Sequence, residues 1–311
     1  MSQAGRRVRF RSRPEGVLRT IGPMKRTRVM VLLGAVALAA GRGHASDHGD
    51  TPVLVQAGRQ DAGITDLFAF VRNEHLVLGV CLDPAVARGE TSYAFAPDLR
   101  VEIMVDHGAS VRFDDPDDLA RYGGTIVRPQ AGREDVVYRV TFPDGTPTLD
   151  VRGLGRHAER GVRFFAGLRD DPFIRGPRIG RNVAALVVEV PLDVARPAGE
   201  DVLLVWATSK VRGLSGAFQD LAGRALRSQF PENDDMNSMA PRRMRRALDV
   251  PPDVMIFDVG RPALFPNGRE LTDDVVDLVG DPRVLGNDAP FPSENDVPFL
   301  SGFPYLAPPH E

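Results

Sequence analysis

Asn182-Val183-Ala184-Ala185-Leu186-Val187-Val188-Glu189-Val190 is almost continuously apolar and rich in β-branched residues. A run of this length and composition suits a central strand covered on both faces rather than an amphipathic helix. Its neighbours have the same character. Thr65–Val71, Leu76–Leu82, Leu99–Val105, Val136–Phe142, Val162–Leu168 and Val202–Thr208 are short runs of β-branched, aromatic and Leu residues, separated by Gly, Pro and Asp turns. That punctuation predicts antiparallel β structure rather than βαβ repeats. Thr65–Phe70 and Val136–Phe142 read as half-buried, and Arg72-Asn73-Glu74-His75 as a hairpin connection. The expected fold is mainly β: an antiparallel, jelly-roll-like sandwich with a few short helices.

Helical spacing comes later in the chain. Phe218, Leu221, Ala222, Ala225 and Leu226 recur at three and four within 215–230. Pro241 can open a basic helix running through Arg242, Arg243, Arg245 and Arg246 to Leu248. Thr272, followed by Asp273, Asp274 and Asp277, reads as the N-cap of a short helix with acids in its first turn. From Gly280 onward Pro282, Pro290, Pro292, Pro298, Pro304, Pro308 and Pro309 rule out regular structure, yet Phe291, Phe299, Phe303 and Tyr305 make the tail too aromatic for a solvated one. It reads as a Pro-rich wrap packed on the body.

Met24 begins a basic cluster, followed by a twelve-residue apolar run from Val29 to Ala40 and small residues around Gly43-His44-Ala45. This is the build of a secretory signal, and twelve helical residues reach only about 18 Å, too short to span a bilayer. The expectation is an extension plus signal over 1–45, cleavage after Ala45, and one domain over 46–311 that is periplasmic or secreted and has no membrane span. Of the 39 Lys and Arg, ten lie before residue 46, with one of the 42 Asp and Glu. The body therefore carries a net of −12, which argues against nucleic acid as a partner. The lone Cys81, inside an apolar run, allows no internal disulfide and reads as a small buried hydrophobe.

Several segments together resemble the bacterial exported proteins of domain of unknown function (DUF) family 4331. They are Ser46–Pro52, Asp61–Phe70, Phe165–Phe173, Val205–Thr208, Asn267–Asp277 and Phe303–His310, in the family's order over the mature chain. The resemblance implies secretion and one β-rich domain, and it names no substrate. A short likeness of 61–83 to sugar- or haem-binding sandwich modules is an analogy of fold alone.

Two sets of residues could carry chemistry. His48, Asp50, Asp61 and Asp66 combine carboxylates, which suit Ca²⁺, with an imidazole, which moves the preference toward Zn²⁺. The bland alternative is that the acids cap turns and His48 is an exposed polar residue. The second set joins Arg169, Asp170 and Asp171 to Arg269, Asp273 and Asp274, where loop pinning by caps and ion pairs competes with acid/base chemistry. The sequence lacks the Gly-x-Ser-x-Gly elbow of a serine hydrolase. Met236, Met239, Met244 and Met255 could ligate a non-covalent haem, or fill gaps in the core. The leading expectation is a non-enzymatic binding or structural module that takes a small molecule, glycan or protein and holds a divalent cation. The alternatives are a metal-assisted hydrolase using the same residues and a haem-binding electron-transfer subunit.

Overall fold

The computed structural model describes residues 48, 51–154, 161–174, 178–196, 199–228, 230–281 and 293–311. The expected extension and signal over 1–45, Asp50, and three of the tail prolines lie outside these residues. The strands are β1 Ile64–Arg72, β2 His75–Leu82, β3 Leu99–Asp106, β4 Val111–Arg112, β5 Thr125–Ile126 and β6 Val136–Thr141, followed by β7 Thr148–Arg152, β8 Arg163–Asp170, β9 Asn182–Pro191, β10 Val202–Val211, β11 Asp220–Ala222 and β12 Met255–Asp258. Among the described residues five short α-helices punctuate them, α1 Pro52–Ala57, α2 Pro116–Tyr122, α3 Leu192–Ala195, α4 Pro241–Leu248 and α5 Val275–Val279, beside three short 3-10 turns.

The protein is mainly β and its sheets are antiparallel. One sheet has the order β1-β2-β9-β8; the larger runs β11-β10-β3-β6-β7, with β12 also pairing along β10. β11 pairs with Ala207–Ser209 and β12 with Val202–Val205, so two short strands share one edge of β10. The chain passes from one sheet to the other between β2 and β3, β7 and β8, and β9 and β10. This is the jelly-roll-like interleaving of a sandwich.

Inward-facing residues of both sheets meet in one core. Leu78, Val80, Leu186 and Val188 of the smaller sheet pack with Val101, Ile103, Tyr138 and Val205 of the larger. Both sheets are also covered outside. Phe68, Phe70, Val77, Ala185 and Val187 pack beneath Leu271, Tyr305 and Leu306, so the C-terminal wrap roofs the smaller sheet. On the larger sheet Met104, Leu204 and Trp206 lie under Met236, Met244 and Val254.

β9 is a central strand between β2 and β8, buried from Asn182 through Val190, as its composition predicts. β6 alternates buried and half-buried residues, as expected of a one-sided strand. Cys81 is fully buried. The hairpin at Asn73-Glu74 places both residues at positive φ, 50° and 61°, the backbone that a two-residue turn demands.

Three expectations are corrected. Ile64–Phe70 is buried on both faces, not half-buried, because the C-terminal wrap covers its outer side. The described part of the expected 215–230 helix, residues 215–228, is not helical: Asp220–Ala222 add a strand to the open edge of β10. α4 forms as read, with Met244 buried and its arginines exposed, but α5 is capped by Asp274, whose Oδ1 accepts from Asp277 N at 3.3 Å, not by Thr272.

Candidate functional site

Among the described residues, each predicted acid has its own partner. Asp61 receives a fork from Arg59, Nε to Oδ1 at 2.8 Å and Nη2 to Oδ2 at 2.9 Å, and the same guanidinium holds Asp98. Asp66, fully buried on β1, accepts from Arg269 Nη2 at 3.0 Å, and that guanidinium lies 4.2 Å over the Phe68 ring. Gly268 makes this approach feasible. Its φ is +70°, and a Cβ there would stand 2.7 Å from the Ala69 carbonyl oxygen, so only glycine lets the Asn267-Gly268-Arg269 turn exchange hydrogen bonds with Ala69.

His48 is not an exposed polar residue. It is buried, with Nε2 2.9 Å from Asp220 Oδ1 and Nδ1 against the Ser228 hydroxyl. Asp220 also accepts from the Thr51 hydroxyl, from Ile64 N at 2.8 Å and from Leu221 N at 3.1 Å. With a carboxylate as acceptor, His48 Nε2 carries the proton and Ser228 donates to Nδ1. The string Ser228–His48–Asp220 has the membership of a hydrolase triad, but its serine is only 2% exposed and no substrate can reach it. It acts as a buried clasp between His48 and the β10 edge.

The second set behaves as loop pins with unexpected partners. Asp171 holds Phe173 N at 3.1 Å and the Arg178 guanidinium. Asp273 Oδ2 accepts from Phe265 N and Glu270 N, both at 2.9 Å. Arg169 stacks 4.1 Å over Phe165. Met236, Met239 and Met244 share the cluster that covers the outer face of the larger sheet, while Met255 lies in the inter-sheet core, so these methionines serve as packing residues.

Asp170 is different. It ends β8, is buried, and receives Asn295 Nδ2 at 2.6 Å on Oδ2. Its other oxygen faces His310 Nε2 at 2.8 Å, and the same nitrogen is 3.3 Å from Asp296 Oδ2. Neither Asp170 Oδ1 nor His310 Nε2 makes a hydrogen bond, although both atoms are buried. Asp296 is steadied by Gly180 N at 2.8 Å, and the His310 backbone by both polar atoms of Asn182. Burial, seconded by the Asp296 charge, raises the Asp170 carboxyl from 3.8 to about 7 against the opposing Asn295 and His310. Among the described residues, these three side chains are the one group whose ligand atoms converge as metal ligands do, all within 4.8 Å of one another. None of the three belongs to the expected metal set: Asp170 stands in the second set, and Asp296 and His310 were missed because their loops meet β8 only through the fold.

Among the described residues no helix is long and apolar enough to cross a membrane. Compared with protein-family models, curated proteins and solved structures, the chain matches none.

Proposed function

We propose that this chain is an exported, non-enzymatic β-sandwich binding module of the family-4331 type, in which a divalent cation held by Asp170, Asp296 and His310 latches the C-terminal wrap to the smaller sheet. The supporting observation is the convergence of Asp170, Asp296 and His310, whose ligand atoms all lie within 4.8 Å of one another, with Asp170 Oδ1 and His310 Nε2 in buried contact at 2.8 Å. A cation placed among these atoms would satisfy the buried oxygen and nitrogen together with the Asp296 carboxylate. Two carboxylates and one imidazole favour Zn²⁺ or a similar transition metal over Ca²⁺, which takes more oxygens. Tetrahedral ligands at about 2.1 Å stand about 3.4 Å apart, so the trio needs to open only slightly to admit the ion. The latch reading rests on what the ligands join: the end of β8, the loop at Asp296 and the penultimate residue. Export rests on the signal-like Met24–Ala45 and on the resemblance.

The test is elemental analysis and native mass spectrometry of the full chain purified without chelator, with melting curves before and after EDTA. One ion per chain is expected, lost in Asp170→Asn and His310→Gln, with a lower melting temperature in EDTA. A chain that takes up neither Zn²⁺ nor Ca²⁺ and melts unchanged in EDTA overturns the proposal.

A further inference from the structure

A cavity of about 240 Å³ lies on the outer side of the larger sheet, away from Asp170. Its floor follows from strand register. Trp206 pairs with Met104 across β10 and β3, flanked by the pairs Thr208–Glu102 and Leu204–Asp106. The strand alternation that sends Val101, Ile103 and Val105 into the inter-sheet core sends Glu102, Met104 and Asp106 outward. The floor is therefore an apolar centre of indole and thioether with a carboxylate at either end. Phe218, Val254 and the Pro241 start of α4 supply further apolar wall.

Charge narrows the occupant. The lining contains three acids, Glu102, Asp106 and Glu134, against one base, Arg242. Glu102 is offset by two arginines, Arg139, whose Nε donates to it at 2.6 Å, and Arg100, whose Nη2 lies 3.5 Å from it, so the uncompensated acids of the lining are Asp106 and Glu134. Asp106 has only backbone donors, Gly108 N at 2.9 Å and Arg133 N at 3.0 Å. A carboxylate ligand would meet repulsion from Asp106 and Glu134, whereas an organic cation would find an indole and acids together, the combination that recognises ammonium groups. We infer that this cavity binds an organic ammonium with a compact apolar body, seated on Trp206 and Met104 between Asp106, Glu102 and Glu134. This site is independent of the cation latch.

Trp206 is the single tryptophan of the chain, so its emission reports the cavity alone. The full chain is titrated with octyltrimethylammonium, octanol and octanoate, all below their aggregation limits, with excitation selective for tryptophan. Octyltrimethylammonium is expected to shift the emission saturably, with a midpoint about tenfold below that of octanoate. Glu134→Gln, a change at an exposed position, is expected to raise that midpoint about two- to fivefold without altering the melting temperature. Equal or tighter binding of octanol or octanoate overturns the inference, and so does an emission that no probe shifts saturably.

Discussion

His48 Nε2 and Asp220 Oδ1 lie 2.9 Å apart, both buried, although 172 positions separate them in the chain. The contact fastens His48 to β11, which pairs along the β10 edge. Asp220 is the hub, since it also satisfies the Thr51 hydroxyl and the amide of Ile64, where β1 begins. Asp220→Ala strands those donors in the interior and is expected to cost about 2–4 kcal/mol in urea unfolding, while His48→Ala costs about 1–3 kcal/mol. An unchanged denaturation midpoint in both variants would show that the clasp contributes nothing to stability.

Asp66 and Arg269 form a second long-range link, and their burial makes the single and double variants diverge. Asp66→Asn or Arg269→Met alone removes one charge and leaves its partner in the core, at an expected cost of about 3–5 kcal/mol. The double variant Asp66→Asn with Arg269→Met should recover part of that loss. A double-mutant cycle from denaturant curves reads the coupling, and additive single losses would contradict it. Gly268→Ala should resemble Arg269→Met, because the added methyl collides with the Ala69 carbonyl and drives the turn away.

These links mark where sequence reading stops. Apolar runs and alternation are local, so β9 and β6 were legible residue by residue. The two-sided burial of Ile64–Phe70 was not, because its outer cover, Tyr305 and Leu306, comes from the far end of the chain. The helical spacing of 215–230 misled for a related reason: Phe218 and Leu221 satisfy a period of three, but the open edge of β10 offers Asp220–Ala222 a ladder instead. The acids were recognisable as a class, and loop pinning by Asp171 and Asp273 was legible in kind. Which base or imidazole each one meets is a property of the tertiary fold, so His48 was grouped with Asp66 when it serves Asp220, and Asp170 was grouped with Arg269 when it faces His310.

Tyr305 secures the C-terminal wrap through a different contact. Its hydroxyl donates to Glu189, a buried carboxylate on β9 that also takes Arg163 Nη1 at 2.9 Å, and its ring meets Phe70 edge to face at 5.8 Å. Tyr305→Phe keeps the ring and removes only the hydroxyl, leaving Glu189 one donor short. The expected loss is about 1–3 kcal/mol by denaturant unfolding, with faster proteolysis of the C-terminal segment. Tyr305→Leu should lose more, since it also forfeits the ring contact. Equal stability of the Phe variant and the parent would place the holding force in the ring alone.

Asp170 gives the chain a pH signature whose sign follows from its raised carboxyl. Burial lifts it from 3.8 to about 7, so between those values the folded chain retains a proton that the unfolded chain has released. The stability this proton supplies is complete below about pH 4 and is lost as pH rises through 7, with a slope of at most about 1.4 kcal/mol per pH unit. In EDTA, Asp170→Asn should flatten that slope in unfolding curves between pH 5 and 7, because the amide stays neutral throughout. Divalent cation works in the opposite direction. It needs the deprotonated carboxylate, so its affinity should fall about tenfold per unit below pH 7, with proton release on binding that calorimetry in buffers of different ionisation enthalpy can count. Added Zn²⁺ should therefore stabilise the parent chain most above pH 7, where the proton no longer competes, and should leave Asp170→Asn unmoved. A parent and variant with the same slope in EDTA would mean that Asp170 titrates as an ordinary surface acid, and the facing of its oxygen and the His310 nitrogen would then have no electrostatic consequence.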